Sequence, residues 1–397
     1  TKSSPASSRG LASCRSTPAT YDPSRPETAL VRMPPERWPA LSDDMDYDGL
    51  ADAVRQSLNY LRKLPDERRF RFGPDRYTKA HMILSLSRFA AFVETRPGTD
   101  ALNAFLRREY ILYRSPGAGA PPRVLFTGYY EPFLEGRLTA DGRFRYPVYG
   151  LPRDLVYVDL AAFSDDWKGR RLTGRLDGRR VIPYYAREDI EKGLIDDQAP
   201  VIAWVDDPVG LFFLQIQGSG RIILEDGRSL RVQYHGVNGQ PYRSIGKLLI
   251  NREKIPAEEM SMQRIRAYLE AHPEERQAIL NHNPSYVFFR AGQGDPLGSL
   301  GVAVTPGRSI ATDQRIFPSG ALAFIATRKP LTDGDRTIYR WTALKRFVFN
   351  QDSGGAIKGP GRADLFWGSG AYAETAAGHL KHDGELYFLV LKTAPPS

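Results

Sequence analysis

Asp352-Ser-Gly-Gly-Ala-Ile-Lys-Gly-Pro-Gly-Arg-Ala-Asp364, followed by Leu365-Phe366-Trp367-Gly368, organises the interpretation of this chain. Two carboxylates bracket a loop that holds four glycines and a proline. The strand-like residues Arg346-Phe-Val-Phe-Asn350 lead in, and an aromatic pair leads out. Such a loop lets backbone approach a ligand closely while the flanking strands hold both acids in place. Paired acids on a rigid frame are what carbohydrate-cleaving sites are built from. A plain hairpin accounts for the same residues, with glycines supplying turns and aspartates bonding their local backbone.

Composition narrows the field. The 397 residues allow two domains, with ordinary hydrophobic (41%) and charged (25%) fractions for a soluble protein. Against 46 acidic residues stand 55 basic ones, a net charge of +9, which favours an anionic partner: nucleic acid, a membrane surface or an acidic cell-wall polymer. The basic residues are dispersed and no nucleic-acid motif accompanies them, so nucleic acid is not an expected partner. The single cysteine, Cys14, excludes an intrachain disulfide and a cysteine metal site. Its context, Leu11-Ala-Ser-Cys14, has the shape of a bacterial lipoprotein processing site, although the preceding Thr1–Gly10 is polar. No apolar run is long enough to span a bilayer. The expectation is a soluble protein, tethered through Cys14 where the native signal segment is present.

Neither metal nor cofactor is expected. The six histidines are scattered, and no His-Glu-x-x-His occurs. Gly354-Gly-Ala-Ile-Lys-Gly359 lacks the Gly-Lys-Ser/Thr ending and the following helix of a phosphate loop. No Gly-x-Ser-x-Gly nucleophile elbow is present.

Along the chain, residues 1–42 are rich in Ser, Pro, Thr and Arg and carry no hydrophobic period, as a linker does. Helical spacing predicts helices over 46–63, 78–95 and 99–113. From about residue 123 short strands take over, among them Arg123–Thr127, Leu211–Gln217 and Arg221–Leu224. Helical patterns return at 185–195 and 257–283, and strands at 301–305, 320–327, 342–350 and 384–392. Strands with a few helices, in no regular alternation, predict antiparallel β barrels or an α+β fold.

Three further motifs stand out. Thr127-Gly-Tyr-Tyr-Glu-Pro132 puts two tyrosines and an acid beside a tight turn. The tyrosines either fill a core or offer faces to sugar rings, with Thr127 and Glu131 as hydrogen-bonding groups. Gln215-Ile-Gln217-Gly-Ser-Gly220 reads as a strand ending at small residues around Gln217 and Ser219, suited to a polar ligand or simply to a bulge. Tyr242-Arg-Ser-Ile-Gly-Lys247 opens a helix and presents Arg243 or Lys247 either to an anion or to solvent.

Taken in order with Asn283-Pro-Ser-Tyr-Val-Phe-Phe289 and the Asp352–Asp364 loop, these motifs resemble the membrane-bound lytic murein transglycosylase A family over roughly residues 45–395. The C-terminal part also resembles the three-aspartate domain, its acids matching Asp313, Asp352 and Asp364. The resemblance implies a mainly β fold with α-helices: a double-psi β-barrel from residues 43–129 plus 293–397, interrupted by a smaller β domain at 130–292, with a glycan groove between them. It implies Asp364 as catalytic acid/base; beside it, Asp352 is expected to tune or position Asp364 and Asp313 to hold the loop. Expected substrate contacts are Thr127, Tyr129, Tyr130, Gln217, Ser219 and Lys358. Peptidoglycan glycan strands are the implied substrate, other cell-wall enzymes the protein partners to consider, and the chain is expected as a monomer. Periplasmic, outer-membrane attachment through Cys14 goes with the same resemblance.

The implied chemistry suits one good acid. Ordinary glycosidases need two carboxylates. In a lytic transglycosylase the C6 hydroxyl of N-acetylmuramic acid attacks its own C1, and this built-in nucleophile lowers the demand for a second base. One carboxyl then serves first as acid and afterwards as base, provided that its pKa is raised by burial, by Phe366 and Trp367, and by nearby Asp352. Two rivals remain at this level: a hydrolase on the same barrel, and a non-catalytic, expansin-like glycan binder.

Overall fold

In the computed structural model, which describes residues 21–393, the Asp352 and Asp364 strands belong to a closed barrel. Its six strands follow one another around the wall as Lys381–Leu391, Leu322–Thr332, Ile338–Asp352, Ser309–Ala311, Arg362–Ser369 and Val124–Glu131. The last pairs back onto Lys381–Leu391, so no barrel edge is left open. Two contacts in the ring are parallel, Ser309–Ala311 on Ile338–Asp352 and Arg362–Ser369 on Val124–Glu131. The expected double-psi barrel of mainly β character is therefore present, and it is made from separated parts of the chain. Phe126, Phe324, Phe347 and Phe388 fill its buried core. The helices Leu50–Arg62 and Lys79–Val93 pack on its strands, and Tyr110–Arg114 extends the sheet beyond Lys381–Leu391.

The chain leaves the barrel at Glu131 and builds a second, six-stranded sheet. Its strand order is Val287–Gly292, Ser229–Val237, Ser219–Leu224, Phe133–Arg137, Val201–Val205 and Tyr146–Tyr149. This sheet has its own cores, one around Val148, Val205, Leu214 and Ile222 and another under the helices of residues 245–281. Asn283 ties two of the motifs together here: its side-chain oxygen accepts the backbone N–H groups of Arg243 and Ser285. The helix at Tyr242–Lys247 forms as expected, Ile245–Asn251, with the Ser244 hydroxyl capping the Lys247 N–H.

Several local expectations give way to the structure. Leu211–Gln217 is not a strand but the body of a helix, Pro208–Gln217. Asp207 caps it by accepting the Gly210 N–H, Pro208 occupies the first turn, and Gly218 closes it at φ 78°. Every residue from Val209 to Gln215 is buried, so the run shows neither the helical nor the strand period. The predicted 99–113 helix stops at Glu109, and Tyr110–Arg114 is drawn into the sheet. Residues 257–283 form two helices, Met262–Ala271 and Pro273–Asn281, because proline opens the second. Residues 301–305 form only an isolated bridge, Ala303 to Leu297.

The presumed linker is also part of the fold where it is described. Val31–Arg32 pairs with Tyr110–Arg114, and Leu30 and Leu41 are buried. Just beyond it, Asp43 forms a two-oxygen ion pair with Arg308, both side chains being out of contact with solvent. Low hydrophobic content hid these few anchoring residues. Cys14 lies outside the described residues. Among the described residues no helix is long and apolar enough to cross a membrane.

Candidate active site

Register brings the acids together. Ala311 pairs with Asp352 on one side and Asp364 on the other, and Asp364 pairs with Thr127. Asp352, Ala311, Asp364 and Thr127 thus form one row across four adjacent strands, with the two acidic Cα atoms two strand spacings, about 10 Å, apart. Tyr129, two residues beyond Thr127, shares its face and joins the row: its hydroxyl donates to Asp352 Oδ2 at 2.9 Å. The Tyr129 ring packs against Phe366, its cross-strand partner, with centroids 5.1 Å apart.

The two acids differ in how their lone pairs are used. Asp352 Oδ1 accepts the N–H groups of Ser299 and Ser353, both at 2.8 Å, in addition to the Tyr129 bond on Oδ2. Asp364 accepts one bond, from the Thr127 hydroxyl to Oδ1 at 2.8 Å. Its Oδ2 has no hydrogen-bond partner among the described residues, and the half-buried side chain keeps access to solvent. Thr127 is aimed by Arg362, whose guanidinium donates to the same hydroxyl oxygen at 3.2 Å. That arginine was not anticipated, although its place two residues before Asp364 on the same strand face was a usable signal.

Electrostatics follow from this arrangement. Burial drives the Asp364 carboxyl up to about 6 from an ordinary 3.8. The Thr127 bond and the Arg362 charge pull it back, while Asp352 adds a smaller upward push. Asp352 is raised too, by burial against the pull of its donors, and Tyr129 is held well above its usual range by burial and the Asp352 charge. Asp313 goes the other way. Burial would raise it, but the Arg315 guanidinium and the N–H groups of Gly359 and Arg315 outweigh burial and hold it at about 2. Ionised Asp313 pins the loop at its middle through the Gly359 N–H, at 2.9 Å.

The other expected residues divide. Gln217 lies against the Val124–Glu131 strand, where its Oε1 accepts the Tyr130 N–H at 3.1 Å, so that atom is already engaged. Half-buried Ser219 begins the strand laid parallel to Phe133–Arg137. Tyr130 does not share the site: strand alternation turns its ring inward, where its hydroxyl donates to Glu374 at 3.4 Å. Trp367 likewise sits on the other face, beneath Gly128, rather than beside the Asp364 carboxyl. Glu131 is not free to meet a ligand, because it is buried in ion pairs with Arg221 (3.0 Å) and Arg231 (2.9 Å) of the second sheet. Lys358 is exposed on the loop and makes no hydrogen bond or ion pair among the described residues. Between barrel and second sheet, a cavity of about 190 Å³ opens against Glu131, Phe366 and Gly368 of the barrel and Arg221 of the second sheet.

Comparison with known proteins adds a second kind of observation. Residues 125–290 match the family described as the MltA specific insert domain, and residues 308–390 match the 3D domain. Membrane-bound lytic murein transglycosylase A of Escherichia coli (strain K12) is 35% identical over 286 residues, 71% of this chain and 69% of that protein. The crystal structure of the membrane-bound lytic murein transglycosylase from Agrobacterium tumefaciens superposes with a TM-score of 0.74 at 28% identity, covering 91% of this chain and 98% of that one. The E. coli MltA structure with bound chitohexaose gives a TM-score of 0.68 at 28% identity, covering 92% and 94%.

Proposed function

Since the chain belongs to the membrane-bound lytic murein transglycosylase A family, we propose that it cleaves the β-1,4 bond between MurNAc and GlcNAc in peptidoglycan, with Asp364 as single acid/base and 1,6-anhydro-MurNAc as the new end. One observation carries the choice of acid: Asp364 has one oxygen fixed by Thr127 and the other without a partner among the described residues, at a pKa of about 6, whereas both oxygens of Asp352 accept hydrogen bonds, from three donors in all. Protonated Asp364 gives its proton to the glycosidic oxygen as the C1–O bond breaks. The resulting carboxylate takes the proton of the C6 hydroxyl while O6 bonds to C1. Atoms and charge balance, and no water is consumed.

Asp352 and Tyr129 hold the floor beside this acid, and Asp313 fixes the loop between the two strands. The glycan lies along the Tyr129–Phe366 face, with Ser219 and Gln217 at the wall formed by the second sheet; the chitohexaose bound by the E. coli relative supports a glycan ligand. A location at the membrane accords with the relatives' names, and the proposal places the protein in the periplasm with Cys14 as the tether. Digestion of purified sacculi followed by mass analysis tests the reaction. Products lighter by one water than muramidase products support it. Free reducing MurNAc ends would make the protein a hydrolase, and intact sacculi would make it a binder.

A further inference from the structure

Residues 156–183 form a third, three-stranded antiparallel sheet, in the order Arg180–Pro183, Arg171–Asp177 and Val156–Asp159. One of its faces lies on the second domain. A methyl on Gly236 would come within 2.5 Å of the Tyr157 hydroxyl, and one on Gly239 within 2.7 Å of Thr173 Cβ. On the same face the Arg175 guanidinium stacks over Tyr185, 4.3 Å from its centroid. Strand alternation and the direct pairs Val158 with Leu172 and Leu176 with Val181 put Val156 and these four residues on the other face. Leu172 is 53% and Leu176 61% exposed, and none of the five belongs to a packed core among the described residues. A half-buried antiparallel sheet ordinarily packs its apolar face and shows its polar one. Here the packed face carries Thr173 and Arg175, and the apolar face looks outward.

The rim of that face is aromatic and basic. In the connection between Val156–Asp159 and Arg171–Asp177, Phe163 is 71% and Trp167 44% exposed. From Lys168 to Pro183 six cations stand against one acid, Asp177. Arg180 takes Asp177 at 2.8 Å, and Asp165 takes Lys168 at 2.9 Å. The side chains of Arg170, at the Phe163 end, and Arg179, in the turn at the far end, make no ion pair or hydrogen bond among the described residues. Of the acids just before them, Asp159 caps the Ala161 N–H, which leaves exposed Asp166 in opposition.

This rests on the membrane location proposed above: we infer that the outward face of the third sheet docks the protein onto an anionic phospholipid surface, separately from any lipid at Cys14. An uncharged aliphatic face enters the acyl boundary, phenyl and indole rings sit at headgroup depth, and guanidinium groups at both ends meet the lipid phosphates. A tether limits only the distance from the membrane, whereas a docked sheet also fixes which way the second domain faces. A flat aliphatic face offers sugar hydroxyls no polar partner. Two copies placed face to face would bring like cations together at the rim.

Sedimentation with vesicles tests this on the Cys14→Ser chain, which carries no acyl tether. Vesicles of phosphatidylethanolamine with phosphatidylglycerol should bind it at least about tenfold more tightly than phosphatidylcholine vesicles, and less tightly as salt rises. Arg170→Ala with Arg179→Ala should weaken binding by about fivefold per cation. Phe163→Ser with Trp167→Ser should weaken it by about tenfold or more. Thermal unfolding like that of the parent chain shows that each variant is folded. Absent binding, equal binding to both vesicle types, or binding that neither pair of substitutions weakens overturns the inference. So do dimers, or binding to sacculi, that Phe163→Ser with Trp167→Ser abolishes in a chain that ignores vesicles. Should the chain with Cys14 intact follow the membrane fraction of cells while Cys14→Ser binds no vesicle, the location stands and the docking falls. Vesicle binding by a chain that leaves sacculi intact upholds the docking and strikes only the proposed reaction.

Discussion

Replacing Asp364 by Asn should stabilise the protein at neutral pH while abolishing its chemistry. The carboxyl titrates near 6 in the folded chain, against 3.8 when unfolded. Below the unfolded value both states are protonated and nothing is lost. As pH rises through 6 the folded chain must hold an ionised carboxylate where burial opposes it, and stability falls. At about 1.4 kcal/mol per pKa unit the full penalty is about 3 kcal/mol. The side chain is partly open to solvent, and screening reduces this to about 1.5 kcal/mol. Asparagine is neutral at every pH, and its Oδ1 still accepts the Thr127 hydroxyl. Urea denaturation at pH 7.5 should therefore favour the variant by about 1.5 kcal/mol, and the difference should vanish near pH 3.5. Turnover should drop by about 10²–10⁴-fold with glycan binding retained. An Asn variant no more stable than wild type at pH 7.5, or shifted equally at both pH values, would refute the claim that Asp364 is desolvated. Near-normal lysis would show that another group is the acid.

Asp352→Asn should lower kcat less than Asp364→Asn, because its oxygens are occupied by Ser299, Ser353 and Tyr129; equal losses in steady-state assays would place Asp352 in the proton transfers. Asp43→Ala leaves the fully buried Arg308 charge without its partner and should cost about 3–5 kcal/mol in denaturation. A cost under about 1 kcal/mol would mean that water or rearrangement compensates. Gly128→Ala puts a methyl 2.6 Å from Trp367 Nε1 and 2.8 Å from Ala377 Cα, so about 1–3 kcal/mol of overpacking strain is expected, together with reduced activity from displacement of Thr127 and Tyr129. Unchanged thermal unfolding would contradict that packing.

Much of this molecule was legible in one dimension. The loop between Asp352 and Asp364, the tyrosine motif and the order of the remaining motifs led to the barrel and to its acids, because these residues must meet backbone and ligand in fixed ways that few other residue types allow. The strands expected at 320–327 and 342–350 announced themselves through their β-branched and aromatic content, although the hairpin that they form runs further, over 322–332 and 338–352. The Pro208–Gln217 helix did not, since burial on every side erases the contrast between faces from which a period is read.

What the sequence determined by itself was the presence of two acids on strands, a single cysteine with no second one to pair with, and the basic balance that favours an anionic polymer. It did not decide which acid is free. Asp352 and Asp364 are the same residue type in similar strand contexts, and their difference comes from Ser299, Tyr129 and Thr127, which lie between 53 and 237 positions away in the chain. Nor did it separate Tyr129 from Tyr130, whose opposite fates follow from which face of one strand turns toward the row. Register and burial decide such matters, because a pKa and a free lone pair depend on neighbours in space, and closure of the barrel sets those neighbours.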